Sequence, residues 1–285
     1  MGRILTGLIG AGIQQSRSPF MHEAEASALG LDLRYSLFDL KAMGLGAEAL
    51  PQVLDEAQRQ GLAGVNVTHP CKQAVIPLLD AVTLEAAAIG AVNTVVFSDG
   101  RRTGHNTDAW GFGEAFRRRM PGAPLGRVLQ LGAGGAGAAT AHALLALGVE
   151  RLAILDADVA RARALAAKMA ATFGAGRVDA VTDLAGALAD SQGLVHATPT
   201  GMADHPGLPL PATLLRPDLW VAEVVYFPLE TELLAQARAR GCRAIDGGGM
   251  AVFQAAKAFE LFTGIAPDTE RMLARFGDHP PAKAG

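Results

Sequence analysis

Three polar side chains interrupt an otherwise apolar segment of the sequence, GVNVTHPCKQAV at residues 64–75. Asn66 and Thr68 can each donate and accept hydrogen bonds, and Lys72 carries an amine that can take up or release a proton. Moving such groups out of water costs free energy unless each one finds a partner. We therefore expect the three side chains to bind other polar groups of the fold or of a ligand.

Polar residues also stand beside apolar ones at three other places, QSRSP (15–19), GAVNTVV (90–96) and GHNTDAWG (104–111). Two of these features have a structural explanation when taken alone. SRSP is an ordinary helix-capping sequence. A lysine and an aspartate, here Lys72 and Asp108, can likewise form a structural ion pair rather than a reactive one.

A glycine-rich loop, LQLGAGGAGAAT, joins an apolar run to an Ala/Leu-rich stretch. Gly132, Gly134 and Gly137 give it the pattern G-x-G-x-x-G. In such a loop the first glycine permits a tight turn, the second lets the backbone approach a pyrophosphate, and the third lets helix and strand pack closely. The phosphates bind at the helix N-terminus, where backbone N–H groups are free. With a strand before it and a helix after it, the loop predicts a bound dinucleotide.

Asp156 ends the next apolar run, RLAILD, at the distance of about 20 residues where an acid binds the ribose. A carboxylate there accepts hydrogen bonds from the ribose hydroxyls and repels a 2′-phosphate, which favours NAD over NADP. Arg161 argues the other way, because an arginine nearby can pair with that phosphate. A structural interpretation is that Asp156 merely starts the turn, with Asp158 capping the following helix. Since Asp156 lies closest to the strand end, we expect NAD.

The composition limits the classes of protein to consider. The 285 residues are 50% hydrophobic and 19% charged, which is enough for a large core and one or two domains. A net charge of −3 gives no basic field for nucleic acid, and no apolar run approaches the length of a membrane span. Cys71 and Cys242 are too few for a disulfide framework. These features predict a cytoplasmic protein with neither nucleic-acid nor membrane partners.

Strand-like runs alternate with helical stretches along the chain, as in parallel sheets with helices on their faces. The predicted strands are 4–10, 34–40, 63–67, 91–97, 127–133, 151–157, 177–181, 193–199, 220–226 and 243–246. The predicted helices are 18–29, 46–60, 72–88, 109–119, 137–148, 159–174, 184–190, 230–241 and 250–264. A linker or surface loop is predicted at 120–126, and a disordered tail from residue 277.

Together, the four polar clusters and the glycine loop resemble the shikimate dehydrogenase family, which includes the quinate/shikimate dehydrogenases. The five motifs occur in the family's order and extend over nearly the whole chain. The resemblance implies an α/β fold of two domains. Residues 1–105 would form an N-terminal α/β substrate domain, to which the C-terminal helix returns with residues 250–285. Residues 106–249 would form a Rossmann dinucleotide-binding domain.

The resemblance also implies a role for each matching residue. Lys72, in the family motif N-V-T-x-P-x-K, would be the catalytic group that takes or gives the hydroxyl proton, and Asp108, in N-T-D, its catalytic partner. The hydroxyls and amides of the other motifs would hold the carboxylate and ring hydroxyls of the substrate. The implied substrate-binding residues are Ser16, Ser18, Asn66, Thr68, Lys72, Asn93, Asp108, Tyr226 and Gln254.

For the cofactor, ATPTGM at 197–202 matches the loop after a late Rossmann strand, and Gly247 matches a glycine near the nicotinamide. The implied cofactor-binding residues are Gly132, Ala133, Gly134, Gly135, Ala136, Asp156, Arg161, Thr198, Pro199, Thr200, Gly201, Met202, Val224 and Gly247. No metal is expected, because the histidines lack ligand spacing. Most of these histidines are expected to be satisfied polar or capping residues; they are His22, His69, His105, His142 and His196.

Three positions depart from the family pattern. Where NADP-dependent members commonly carry Asn-Arg-Thr, this chain has DAD, beginning at Asp156. His196 replaces the usual asparagine of N-A-T-P, and Glu23 replaces the asparagine that follows the histidine of S-P-x-x-H. None of the three is part of the Lys72–Asp108 pair, so they bear on NADP use and not on the expected chemistry.

The expected function is an NAD-dependent dehydrogenase that interconverts shikimate and 3-dehydroshikimate, and also quinate and 3-dehydroquinate, as a monomer or homodimer. Two alternatives keep the same chemistry: an NADP-dependent biosynthetic shikimate dehydrogenase and an enzyme for an aminated ring analogue. A third belongs to another class, a non-catalytic regulator that senses NAD or a small ligand. The presence of both Lys72 and Asp108 argues against that regulator.

Overall fold

The computed structural model describes residues 2–278. The chain divides into two compact units: one comprises the residues up to Thr107 and those from Val252 onward, and the other is Asp108–Ala251. Both unit boundaries fall within helices. The substrate and cofactor roles assigned to the two parts of the sequence remain predictions. The expected α/β fold class is confirmed by the elements described below.

Twelve strands and eleven α-helices occur among the described residues. The strands are β1 Ile4–Gly10, β2 Leu33–Asp39, β3 Gly64–Val67, β4 Ala81–Val82, β5 Thr94–Ser98, β6 Arg101–His105, β7 Arg127–Leu131, β8 Arg151–Leu155, β9 Val178–Ala180, β10 Gly193–His196, β11 Trp220–Glu223 and β12 Arg243–Ile245. The helices are α1 Ser18–Ala28, α2 Leu50–Arg59, α3 Cys71–Ala74, α4 Leu84–Ile89, α5 Thr107–Arg119, α6 Gly135–Ala146, α7 Val159–Phe173, α8 Leu184–Ala189, α9 Glu232–Ala239, α10 Gly248–Thr263 and α11 Thr269–Asp278.

The sheet of the first unit has the order β2-β1-β3-β5-β6-β4. Strands β2, β1 and β3 are parallel, whereas β5 runs antiparallel to both β3 and β6. The antiparallel pair β5–β6 turns at Asp99 and Gly100, which both have positive φ, 51° and 77°. An Asp-Gly pair is the sequence signal for such a tight hairpin. The sheet is therefore mixed rather than wholly parallel, and its core includes Ile9, Leu54 and Val65, all fully buried.

The sheet of the second unit is wholly parallel, in the order β12-β11-β10-β7-β8-β9. From β7 the chain proceeds outward through β8 and β9, and then returns to the other side of β7 for β10 to β12. The order thus reverses beside β7, and ligands of open α/β sheets bind beyond the carboxyl ends of the strands at such a point. The loops that follow β7 and β10 are those of the glycine motif and of ATPTGM.

Two of the predicted elements are wrong. The helix predicted over 72–88 is broken into α3, a short 3₁₀ turn at Ile76–Leu78, β4 and α4. Pro77 lacks the N–H that an uninterrupted helix requires, and Thr83 caps a new helix by accepting a hydrogen bond from the N–H of Ala86. The predicted disordered tail begins too early, because residues 277 and 278 belong to α11; the rest of that tail lies outside the described residues.

Within residues 2–278, no helix is both long and apolar enough to cross a membrane. The same part of the chain contains no group of three or more His, Cys, Asp or Glu side chains that could hold a metal ion. Both cysteines are buried.

Candidate functional site

Asn66 lies in the middle of β3, a strand whose four residues are all buried. Its side-chain Oδ1 accepts a hydrogen bond from the hydroxyl of Tyr35 at 2.7 Å. Its Nδ2 donates to Oγ1 of Thr94 at 2.9 Å and to the backbone carbonyl of Asn93 at 3.3 Å. The buried amide is thus held by three hydrogen bonds to two separate segments of the first unit, β2 and residues 93–94, which offsets the cost of its desolvation.

Asn93 in turn holds the beginning of α5. The backbone N–H of Thr107 donates to Oδ1 of Asn93 at 2.7 Å, and Nδ2 of Asn93 donates to the Thr107 hydroxyl at 2.9 Å. Asp108 is the next residue, in the first turn of α5, and is buried. The A-V-N-T and N-T-D motifs are therefore joined directly by hydrogen bonds.

Lys72 is positioned by the turn that follows β3. The N–H of Cys71 donates to the carbonyl of Thr68 at 2.8 Å, and the N–H of Val92 donates to the carbonyl of Lys72 at 2.9 Å. Gly10 is required beside this turn, because a Cβ there would lie 2.4 Å from Cγ2 of Thr68. The Lys72 backbone is thus fixed to the segment that precedes Asn93.

Ser16 and Ser18 form a small loop at the start of α1. Oγ of Ser16 accepts the Ser18 N–H at 3.2 Å, and the Ser16 hydroxyl donates to Oγ of Ser18 at 3.2 Å. Arg17 between them donates to the carbonyl of Phe276 at 3.0 Å and lies 4.6 Å from the centre of its ring. The serine loop is therefore tied to α11, a helix absent from the sequence-based prediction.

His22 contradicts the expectation of a satisfied polar residue. It is fully buried, and neither ring nitrogen has a hydrogen-bond partner within residues 2–278. Its ring packs 4.7 Å from that of Tyr35 and 6.0 Å from those of Phe259 and Phe262. Burial lowers the pKa of His22 to about 3, so the ring is neutral at ordinary pH.

The remaining two predicted substrate residues lie elsewhere in the chain. Gln254 is a half-buried residue of α10, in the part of the sequence that returns to the first unit. Tyr226 follows β11 in the second unit, and 43% of its surface is exposed. Their substrate contacts remain predictions.

The glycine loop after β7 has the geometry that its spacing predicts. Gly132 has φ of +103°, and a Cβ there would lie 2.5 Å from the carbonyl oxygen of Ala197. A Cβ on Gly137 would lie 2.3 Å from the carbonyl oxygen of Gly132. At Gly134, the N-cap of α6, a Cβ would meet no described atom within 4 Å, and no side chain caps the helix. The first turn of α6 thus has the open approach and free N–H groups that suit a pyrophosphate.

Gln130 was missed by the sequence analysis. It is fully buried in β7, and its Nε2 donates to the carbonyls of Gly132 at 2.9 Å and Gly137 at 2.8 Å. Its Oε1 accepts the hydroxyl of Thr140 at 2.9 Å. The signal was present as one polar residue in the apolar strand RVLQL. Gln130 therefore holds both ends of the glycine loop through a buried side chain of β7.

Asp156 follows β8, and both of its carboxylate oxygens already accept a backbone hydrogen bond. Oδ2 accepts the N–H of Ala133 at 2.7 Å, and Oδ1 accepts the N–H of Asp158 at 2.8 Å. Each oxygen keeps a lone pair for a ribose hydroxyl. Arg161 is exposed in the first turn of α7, with its guanidinium 3.9 Å from the carboxylate of Asp158. The residues present therefore fit a dinucleotide.

The loops after β10 and β11 are joined by a buried pair, His196 and Glu223. Nδ1 of His196 donates to the Glu223 carboxylate at 2.9 Å, and its Nε2 lies 2.5 Å from Oγ1 of Thr198. The same carboxylate accepts the N–H groups of Val224 at 2.9 Å and Val225 at 3.0 Å. His196 is thus a satisfied polar residue, as expected.

Gly247 packs against the second of these loops. A Cβ on Gly247 would lie 2.3 Å from the carbonyl oxygen of Val224, which explains the glycine. In the first loop, the N–H of Thr200 donates to Oγ1 of Thr198 at 3.3 Å, and Met202 is exposed. The second unit therefore brings the predicted cofactor residues of both loops to the carboxyl ends of neighbouring strands.

Two family models match the chain. The model described as the shikimate dehydrogenase substrate binding domain matches residues 8–95, and that described as the shikimate 5′-dehydrogenase C-terminal domain matches residues 247–275. The first range contains the serine loop, Asn66, Lys72 and Asn93, and the second contains Gln254.

The chain is also similar to known proteins over almost its whole length. It is 58% identical to a shikimate dehydrogenase (NADP(+)) of Streptomyces avermitilis, over 95% of this chain and 94% of that protein. It is 48% identical to a quinate/shikimate dehydrogenase (NAD(+)) of Corynebacterium efficiens, over 96% of this chain and 97% of that one. The solved structure of quinate dehydrogenase from Corynebacterium glutamicum in complex with NAD has a TM-score of 0.92 and 46% identity, over 98% of this chain and 100% of that one.

Proposed function

Since the chain belongs to the shikimate dehydrogenase family, a family of nicotinamide-dependent oxidoreductases, we propose that it oxidises shikimate, and also quinate, with NAD. The observation that carries the choice of NAD is the carboxylate of Asp156, which is held beside the glycine loop by the N–H of Ala133. A negative charge fixed at the ribose position repels a 2′-phosphate.

The first unit supplies polar groups that suit a hydroxylated ring acid. Asn66 and Asn93 are buried and held by several hydrogen bonds each, so their amides keep one orientation. Ser16 and Ser18 add two hydroxyls on one short loop. Fixed polar groups favour a ligand with a matching pattern of hydroxyls, because mismatched groups would remain unpaired. Shikimate and quinate share the carboxylate and ring hydroxyls that such groups recognise.

Lys72 is the proposed proton-transfer group, and Asp108 is its proposed partner. A bound nicotinamide ring supplies the hydride acceptor when the ring alcohol is oxidised to a ketone. The hydroxyl proton then passes to Nζ of Lys72, which acts as a general base. The carboxylate of Asp108 would orient the amine and share the hydroxyl hydrogen bond. Support comes from the backbone frame, since the turn after β3 holds Lys72 and Asn93 holds the start of α5.

A second candidate is NADP-dependent shikimate oxidation. Two observations favour it: the guanidinium of Arg161 is exposed in the first turn of α7, and the Streptomyces relative bears an NADP(+) name at 58% identity. An arginine at this place can pair with a 2′-phosphate. The two candidates differ in which charge dominates at the 2′-position of the ribose: Asp156, which would repel a phosphate there, or Arg161, which would bind it.

Steady-state kinetics with NAD and NADP, each combined with shikimate and quinate, tests both candidates. We expect turnover of shikimate and quinate with NAD, and a kcat/KM for NADP at least about tenfold lower, as expected for an uncompensated charge repulsion. Equal efficiency with NADP would support the second candidate instead. Absence of turnover with both cofactors and both substrates would contradict the proposal.

A further inference from the structure

We propose that Tyr35 is a positioning residue of the substrate site, whose hydroxyl fixes the orientation of the Asn66 amide. The inference deepens the function proposed above and rests on it. Tyr35 belongs to none of the motifs that carry the family resemblance. It lies in β2, two strands away from Asn66 in the sheet order β2-β1-β3, and only 6% of its surface is exposed.

The orientation of the Asn66 amide follows from its surroundings. One end of the amide lies 3.3 Å from the backbone carbonyl of Asn93, which can only accept a hydrogen bond. That end must therefore be the NH2 group, which also donates to Thr94. The other end is then Oδ1, and the Tyr35 hydroxyl 2.7 Å away must donate to it.

This arrangement determines what Asn66 can offer to a substrate. Both amide hydrogens are directed to partners within the protein, at Thr94 and at the Asn93 carbonyl. Oδ1 accepts one hydrogen bond from Tyr35 and keeps one lone pair. Asn66 is thus an acceptor for a donor group such as a ring hydroxyl. Without the Tyr35 hydroxyl, this oxygen would lose the bond that holds it in place.

The phenol of Tyr35 is itself fixed. Its ring packs 4.7 Å from the neutral ring of His22, and its backbone N–H donates to the carboxylate of Glu23 at 3.0 Å. Burial of the phenol raises the pKa of Tyr35, so its hydroxyl stays protonated and can donate to Asn66.

Tyr35→Phe tests the inference, because it removes the hydroxyl and keeps the buried ring. We expect kcat/KM for shikimate to fall about 5- to 30-fold, the effect of losing the buried hydrogen bond to Asn66, mainly through a higher KM. The dissociation constant of NAD, measured without substrate, should stay within about twofold of wild type, because binding to the glycine loop does not involve this bond.

Thr6→Val is the matched control. Thr6 is the register partner of Tyr35 in β1, is fully buried, and has its hydroxyl 3.5 Å from the carbonyl of Arg34. The control removes a buried hydroxyl at the same level of the sheet without touching Asn66. We expect it to keep the wild-type kcat/KM. An equal loss in both variants would overturn the inference, since it would report a general effect on the sheet.

A double-mutant cycle distinguishes action through Asn66 from an independent effect. In the Asn66→Ala background, Tyr35→Phe should change kcat/KM by less than about twofold, because the atom that the hydroxyl positions is gone. Multiplicative losses from the two substitutions would overturn the inference.

The result for wild type separates this inference from the proposed function. If wild type oxidises neither shikimate nor quinate, the proposed function fails and this inference fails with it. If wild type is active and Tyr35→Phe keeps the wild-type kcat/KM, only the role of Tyr35 is refuted.

Discussion

The carboxylate of Asp156 and the backbone of Ala133 are joined by a 2.7 Å hydrogen bond, from the Ala133 N–H to Oδ2. The residue expected to select the cofactor therefore also holds the loop expected to bind its phosphates. An alanine at position 156 would remove the charge and leave this N–H without its partner at the same time. A substitution that separates the two effects is needed.

Asp156→Asn comes closer to that separation. The asparagine oxygen can still accept the Ala133 N–H, whereas the negative charge is gone and the NH2 group replaces the oxygen that accepts the Asp158 N–H. We expect the ratio of kcat/KM for NADP to that for NAD to rise by about tenfold or more, because removal of a nearby like charge relieves repulsion of the 2′-phosphate. Asp158→Asn, with the same charge change two residues along, serves as the control. An unchanged ratio in Asp156→Asn would refute the role of this charge.

Gln130 should control cofactor affinity without touching the cofactor. Gln130→Met removes the donors to the carbonyls of Gly132 and Gly137, although the Thr140 hydroxyl still lies 3.1 Å from the Gly137 carbonyl. We expect the free energy of unfolding to fall by about 1–3 kcal/mol and the dissociation constant of the dinucleotide to rise several-fold. Urea unfolding and calorimetric titration with NAD measure the two effects.

Thr140→Val is the comparison for Gln130→Met. It removes the hydroxyl that donates to Oε1 of Gln130 but leaves the two bonds from Nε2 to the loop. Its effect on NAD binding should be the smaller of the two. The reverse order would show that the loop does not depend on Nε2.

Lys72→Ala should lower kcat for shikimate oxidation by about 10²–10⁴-fold, the range for loss of general acid–base catalysis. In wild type the rate of oxidation should rise toward alkaline pH, because only the neutral amine can accept the hydroxyl proton. Lys72→Met retains much of the side-chain length and should behave in the same way. A near wild-type kcat with a raised KM in both variants would instead assign Lys72 to substrate binding.

His22 should make stability depend on pH. Burial lowers its pKa from an ordinary 6.5 to about 3, so between these values the unfolded chain binds a proton that the folded chain does not. Stability is therefore lost as pH falls through this window, by about 2 kcal/mol between neutral pH and pH 5. His22→Leu, which cannot titrate, should flatten this part of the curve.

The measurement for His22 is the free energy of unfolding in urea from pH 7.5 to pH 5, for wild type and His22→Leu. Other titrating groups are shared by the two proteins, so their contributions cancel in the difference. The two curves should diverge as pH falls, with His22→Leu the less sensitive. Parallel curves would show that His22 does not contribute to the pH dependence.

The sequence by itself determined the features that depend on local geometry. The glycine loop, the strand before it and the acid at the end of β8 lie in one short stretch of chain, and their spacing encodes a tight turn, a helix start and a ribose-binding position. The α/β class likewise followed from alternating strand-like and helical runs, because the pattern of each run lies within its own residues. Even the Asp99–Gly100 hairpin has a local signal, the Asp-Gly pair itself.

Only the tertiary structure decided which distant residues meet. Tyr35 reaches Asn66 across an intervening strand, and His22 enters an aromatic cluster with rings from α10. Nothing in the sequence near either residue specifies these neighbours. For the helix predicted over 72–88, Pro77 and Thr83 were local signals of a break, but the pairing of Ala81 and Val82 with Thr103 and Gly104 of β6 had no nearby signal. Pairing in a sheet and the burial of a side chain depend on residues far away in the chain, so local propensity and spacing cannot assign them.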